Sequence, residues 1–159
     1  MELQGRHFYT LDDKGRFKLP NELLCALGTS FTVTRGKDGC LWALPDPEWK
    51  RMKEHLSGDL MLDDTSIALQ RWFVGSAEKG NLDTTGRLTL SPTLRSYVGI
   101  AREIVVQGTG RLLELWPKDK WEAYHQPWTE ERINALAEAR EREWLERTRA
   151  QPGSPSPAE

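Results

Sequence analysis

The sequence predicts an α+β fold, rich in strands, duplicated about a pseudo-twofold axis and carrying its helices at the periphery. Three observations predict it. The frame Leu-Asp-x-x-Gly-Arg-x-x-Leu occurs at Leu11-Asp12-Asp13-Lys14-Gly15-Arg16-Phe17-Lys18-Leu19 and returns at Leu82-Asp83-Thr84-Thr85-Gly86-Arg87-Leu88-Thr89-Leu90, about 71 residues later. The likeness runs on through Leu23 with Leu94 and Gly28 with Gly99, and after one inserted residue through Val33 with Val105, Gly36 with Gly108, Leu41 with Leu113, Pro45 with Pro117 and Trp49 with Trp121. Both copies also alternate short strand-like runs with Gly, Pro and Asp punctuation and helix starts, in the same order.

The elements follow in turn. Residues 5 to 11 supply the β-formers Phe8, Tyr9 and Thr10 and read as extended. Asp12-x-Lys14-Gly15 is a turn, because Asp12 can accept from its own downstream backbone and Gly15 can take positive φ. Arg16-Phe17-Lys18-Leu19 alternates polar and apolar, as a half-buried strand does. Pro20 stops that strand and opens a short helix from Asn21 to Leu27, ended by Gly28. Phe31 to Thr34 and Cys40 to Leu44 form a hairpin around Gly36-Lys37-Asp38-Gly39.

Asp46-Pro47 starts a helix with Trp49, Met52 and Leu56 on one stripe, closed at Ser57-Gly58. Asp63 or Asp64 caps another helix through Phe73, with Ile67, Leu69 and Trp72 as its apolar side chains and Gly75 at its end. The second copy repeats the order: strand, turn at Thr84-Thr85-Gly86, strand, short helix from Ser91-Pro92 to Val98, hairpin from Ile104 to Trp116, and a helix from Asp119. Thr129 starts a charged helix with a thin stripe of Ile133, Leu136, Ala137, Trp144 and Leu145. The expected divisions are residues 1–75 for the first repeat with its helices, 76–125 for the second repeat, 126–150 for the C-terminal helix, and 151–159 for a disordered tail rich in Pro and Ser.

Composition excludes several classes. With 159 residues, 38% of them hydrophobic, the chain builds one modest core or two half-domains that share one. No window holds the roughly 18 to 20 apolar residues of a membrane helix, and Met1-Glu2-Leu3-Gln4 lacks the regions of a signal peptide, which places the chain in the cytoplasm. Cys25 and Cys40 read as reduced, buried thiols. Two Cys and three scattered His do not assemble a zinc set, so neither a metal nor any other cofactor is expected.

The formal charge of −2 hides a segregation. Residues 5 to 37 hold Arg6, Lys14, Arg16, Lys18, Arg35 and Lys37 against Asp12, Asp13 and Glu22. Residues 76 to 112 hold Lys79, Arg87, Arg95, Arg102 and Arg111 against Glu78, Asp83 and Glu103. The strand-and-turn parts are basic and the helices acidic, an arrangement that offers a phosphate backbone one face of a near-neutral protein. Each Asp of the frame reads as a turn clamp for its Arg four residues on. A guanidinium on a rigid turn is a bidentate fork for phosphate or for guanine in a major groove.

The frame, followed by a strand, Pro and a short helix, resembles the swapped-hairpin unit of AbrB-type transcription factors. Two such units, with Gly5 before the first, Thr34-Arg35-Gly36-x-x-Gly39-Cys40-Leu41-Trp42 between, Gly75-Ser76-Ala77-Glu78 opening the second and Leu94-Arg95-Ser96-Tyr97-Val98-Gly99 after it, closely resemble the MraZ family over about residues 1 to 125. The resemblance implies a duplicated AbrB-like swapped-hairpin (double-psi) barrel. It implies a nucleoid-associated regulator, acting mainly as a repressor, that binds repeated double-stranded promoter sites upstream of the division and cell-wall genes, its own gene among them. It also implies a closed ring of several copies. The family's Asp-x-x-x-Arg motif falls on Asp12 with Arg16 and on Asp83 with Arg87, and its DNA contacts on Lys14, Gly15 and Arg16 of the first turn. Arg6, Lys18 and Arg35 join them by nearby charge and Arg87 by the motif, while Gly86 belongs with Asp83 to the building of the second turn.

This chain departs from the family at four places. Leu24 stands where the second copy has Arg95, Ser91 where the first has Pro20, and Thr84-Thr85 where the first has Asp13-Lys14. The comparison therefore gives most of the reading to the first copy, and completion of fold and ring to the second. Two other classes fit the sequence less well. An enzyme using Asp12 and Asp83 with His7 lacks a second-copy counterpart of His7, a nucleophile elbow and a phosphate loop. An AbrB-like antitoxin ordinarily has a single unit and a disordered toxin-binding tail. Among the seven Trp, Trp42, Trp49, Trp116 and Trp121 read as core, and Trp72, Trp128 and Trp144 as subunit contacts.

Overall fold

A computed structural model describes residues 2–57 and 63–150; the expected close of a helix at Gly58 and the expected tail at 151–159 lie outside them. The first repeat runs β1 (Arg6–Thr10), β2 (Arg16–Lys18), α1 (Asn21–Leu27), β3 (Phe31–Arg35), β4 (Leu41–Pro45), α2 (Asp46–Ser57) and α3 (Asp64–Phe73). The second runs β5 (Glu78–Lys79), β6 (Asn81–Leu82), β7 (Arg87–Thr89), α4 (Pro92–Val98), β8 (Glu103–Gly108), β9 (Leu113–Pro117) and α5 (Lys118–His125), and the C-terminal helix α6 (Glu130–Arg149) follows it. The chain divides into two compact units, Met1–Glu122 and Ala123–Glu159.

The fold is α+β, with all described strand pairings antiparallel. One sheet has the order β1-β8-β9-β4-β3-β5 and the other β2-β7-β6. These described pairings make two open sheets and no closed ring. Strands of one copy pair mainly with strands of the other, as β1 does with β8, β2 with β7, β3 with β5 and β4 with β9. The duplication is thus interleaved. At the centre of the β2–β7 ladder Phe17 faces Leu88, and at the centre of the β4–β9 ladder Trp42 faces Glu114. Each is a pair of equivalent positions, so a pseudo-twofold axis passes through both ladders.

One extra residue separates Gly75 from Asp83 compared with Gly5 from Asp12. It is accommodated at Gly80, between β5 on one sheet and β6 on the other. Gly80 N–H donates to Phe31 O at 2.8 Å, and a Cβ there would fall 2.1 Å from the buried Phe31 ring. The single long strand expected from residues 5 to 11 is therefore two short strands in the second copy, turned between sheets at a residue that must lack a side chain.

The core of Met1–Glu122 is built from matched residues of both copies. Leu23 and Leu27 of α1 and their counterparts Leu94 and Val98 of α4 enter one cluster with Phe17, Leu88, Leu41 and Leu113. Because Leu23 and Leu27 take the inward stripe of α1, Cys25 is exposed; of the two thiols only Cys40 is buried. Asp63 caps α3 by accepting from Thr65 N–H and Ser66 N–H, but α3 buries only Phe73, while Leu69 and Trp72 are exposed. The expected apolar stripe is displaced because Phe73 stacks on Trp42 at 5.4 Å and anchors the helix by its last residue. In the second unit, Thr129 caps α6 and the helix buries none of its side chains. No helix is long and apolar enough to cross a membrane among the described residues.

Candidate nucleic-acid interface

Each frame folds into the same clamp. Asp12 Oδ1 accepts from the backbone N–H of Lys14 and of Arg16, both at 2.9 Å, and Asp12 Oδ2 accepts from Arg16 Nε at 2.7 Å. Gly15 N–H donates to Asp12 O at 2.9 Å, with Gly15 at φ +75°. In the second copy Asp83 Oδ1 accepts from the N–H of Thr85 and of Arg87 at 2.9 Å, and Asp83 Oδ2 from Arg87 Nε at 2.8 Å. The Thr85 hydroxyl adds a bond to Asp83 Oδ1 at 2.7 Å. Since each Asp engages Nε, the two Nη groups of each guanidinium keep donors for a further acceptor.

The clamps leave a signature in the carboxylates. Partial desolvation pushes the Asp12 carboxyl up, but the bonds from the Arg16 backbone, the Arg16 side chain and the Lys14 backbone outweigh it, and the group sits below its ordinary value. Asp83 is held lower still than usual, first by the Thr85 hydroxyl and then by the Arg87 backbone N–H.

The β2–β7 ladder gathers the cations. Arg16 faces Thr89, Phe17 faces Leu88 and Lys18 faces Arg87. Phe17 and Leu88 point into the core, so alternation puts Arg16, Lys18, Arg87 and Thr89 together on the other face. The two turns stand at opposite ends of this ladder, with Lys14 exposed on the first. The second turn, which has Thr85 where the first has Lys14, has Lys18 of the first copy opposite its Arg87.

The two copies also cross over beneath the turns. Arg95 of α4 donates from Nε to Leu90 O at 3.1 Å, and Leu90 N–H donates to Gly15 O at 2.9 Å. A Cβ on Gly15 would lie 2.9 Å from Arg95 Nε. So the second copy's guanidinium floors the first copy's turn. Leu24, the matching residue of α1, lies 3.3 Å from where a Gly86 Cβ would be. Sequence comparison marks position 95 as an Arg where the first copy has Leu, but gives it no role; only the swapped packing brings it beside Gly15.

Two other expected residues lie elsewhere. Arg6 Nε donates to Gln107 Oε1 at 3.1 Å, and its guanidinium lies 4.8 Å from the Trp121 ring centre. Arg35, at the end of β3, is stacked between Trp72 at 3.6 Å and Tyr97 at 4.8 Å. Neither is on the β2–β7 ladder. His7 stacks on Tyr9 at 6.3 Å, and each frame Asp is engaged by its own turn. No cluster of three or more His, Cys, Asp or Glu side chains suited to a metal occurs among the described residues.

Residues 3–71 and 73–143 each match the sequence model of the family described as "MraZ protein, putative antitoxin-like". The chain belongs to the MraZ family. A Transcriptional regulator MraZ of Deinococcus radiodurans is 39% identical over 119 residues, covering 75% of this chain and 84% of that protein. The Transcriptional regulator MraZ of Moorella thermoacetica is 34% identical over 134 residues, 84% of this chain and 93% of its own length. That of Lactobacillus delbrueckii subsp. bulgaricus is 33% identical over 120 residues, 76% of this chain and 84% of its own. The matched repeats of this MraZ family member take in both clamps, both turns and the α1 and α4 helices that floor them.

Proposed function

We propose that this chain is a sequence-specific, DNA-binding transcriptional regulator. It acts as a repressor of the division and cell-wall gene cluster that includes its own gene, binding repeated upstream sites as a closed ring of copies in the cytoplasm, at the nucleoid. One observation carries the reading: Arg16, Lys18 and Arg87 share the face of the β2–β7 ladder turned away from the core. Lys14 is exposed on the first turn, and Arg95 packs against that turn at Gly15. Lys and Arg so placed neutralise phosphates, release counterions and set register, while an Arg fork held by its Asp reads guanine O6 and N7. A ring repeats the face at regular spacing, which suits direct repeats along a duplex. Arg6 and Arg35 contribute less here, because their guanidiniums are already stacked on aromatic rings. The role is binding and not catalysis, with the frame carboxylates serving as clamps.

The test is titration onto a duplex taken from upstream of the protein's own gene, at rising salt. Affinity should fall steeply with salt, by about 0.9 log unit per log unit for each phosphate contact. Arg16→Ala should remove specific binding without changing the oligomer seen by native mass spectrometry. Undiminished binding by Arg16→Ala would overturn the assignment of the first turn.

A further inference from the structure

The three-stranded sheet carries a polar row that its packing does not use. Asn81 of β6 faces Thr89 of β7, and Thr89 faces Arg16 of β2. The three side chains share one face, opposite that of Leu82, Leu88 and Phe17, which pack on the core cluster. Asn81 is exposed, and among the described residues its amide has no hydrogen-bond partner. Asn is a poor strand former, and the neighbouring Leu82 already supplies this strand's packing. Exposure accounts for a polar residue here, but strand propensity does not account for Asn in particular. Its counterpart in the first copy, Thr10, lies in β1 opposite Glu103, so the row occurs once per chain.

We propose that Asn81 reads a base, taking the major-groove edge of an adenine within about three base pairs of the guanine engaged by Arg16. The inference rests on the DNA-binding reading above. Strands about 4.8 Å apart place Asn81 about 10 Å from Arg16 across the sheet. That span fits a major groove about 12 Å wide. An Asn amide offers one donor and one acceptor, which match adenine N7 and N6 as a pair, whereas Arg offers donors alone and matches guanine. Thr89 between them has a short hydroxyl and methyl that accept several bases. Lys14, Lys18 and Arg95 hold phosphates and carry no base preference.

The experiment selects from a duplex library with twelve randomised base pairs (~12, enough to cover one groove face), using the full-length parent, Asn81→Ala, Asn81→Asp and Arg16→Ala. The parent should enrich a motif holding both a guanine and an adenine position. Asn81→Ala should lose about tenfold of the preference at the adenine position alone, with its salt slope and thermal midpoint unchanged. Asn81→Asp should shift that position toward cytosine, whose N4 amine a carboxylate can accept. If Arg16→Ala loses the motif while both Asn81 variants enrich the parental one unchanged, the assignment of Asn81 is overturned and the DNA reading stands. If Arg16→Ala enriches the parental motif as strongly as the parent does, the DNA reading of this face fails, and the Asn81 proposal with it.

Discussion

Arg95 lies against Gly15, 2.9 Å from where a side chain on that glycine would begin. The two belong to different copies, so the first turn is completed by the second repeat. Gly15 also has φ +75°, and its Cβ would meet Leu90 O at 2.7 Å. Gly86 has φ +82° but meets only the flexible end of Leu24 at 3.3 Å. Gly15→Ala therefore combines left-handed strain with a backbone clash, and should destabilise the fold by about 2–3 kcal/mol. Gly86→Ala bears the strain alone and should destabilise by about 1 kcal/mol. Urea unfolding of both variants checks the difference; equal losses would mean that the floor beneath Gly15 yields easily.

The frame, the helix stops and the hairpins were legible because they depend on local chemistry: an Asp that bonds its own turn, a Gly that takes positive φ, a Pro that ends a strand. Pairing between copies was not legible. Nothing in the stretch from Arg16 to Lys18 says that Lys18 will face Arg87, since that register is fixed by Phe17 and Leu88 packing together in a core both copies share. Charge alone groups Arg35 with the expected DNA contacts, and does not show that Trp72 and Tyr97 stack on it. Two Cys looked alike in composition, yet helix phase exposes one and a β-hairpin buries the other.

Those thiols give a chemical test. Cys40 is buried beside Glu114; desolvation first, and the nearby carboxylate second, push its pKa far above the ordinary thiol value. The thiol, not the thiolate, is the resident form at neutral pH, and it is unreactive. Cys25 is exposed. A thiol-specific reagent at pH 8 should label Cys25 within minutes and Cys40 only after denaturation, read by peptide mass spectrometry. Equal labelling of both in the native protein would contradict the packing around Cys40.

The clamps set an acid limit to stability. Asp12 and Asp83 both titrate lower in the folded chain than an ordinary Asp. A group whose folded pKa is depressed stabilises the fold above its unfolded value, near pH 4, and loses that contribution as pH falls through the folded value. The thermal midpoint should be level from pH 7 to pH 5 and fall below about pH 4. Asp83→Asn should lower the midpoint at pH 7 and narrow its gap to the parent as pH falls. A gap that stays constant down to pH 2 would show that Asp83 contributes through shape and not through charge.

The asymmetry between Arg95 and Leu24 can be undone. Leu24 is half-buried over Gly86 and packs against the core cluster. It occupies the place in α1 that Arg95 occupies in α4. Leu24→Arg would set a guanidinium over the second turn, beside Arg87 and the facing Lys18. Losing part of the Leu packing should lower stability by about 1–2 kcal/mol, less than a fully buried deletion because the Arg stem keeps apolar contact. If the second turn meets the duplex, one more phosphate is neutralised, and the slope of log affinity against log salt should steepen by about 0.9. Affinity at low salt should then rise several-fold while the base preference stays unchanged, since a phosphate contact carries no sequence information. An unchanged slope in a variant that keeps its oligomer would place the second turn away from DNA, and would leave Lys18 and Arg87 to serve contacts between copies.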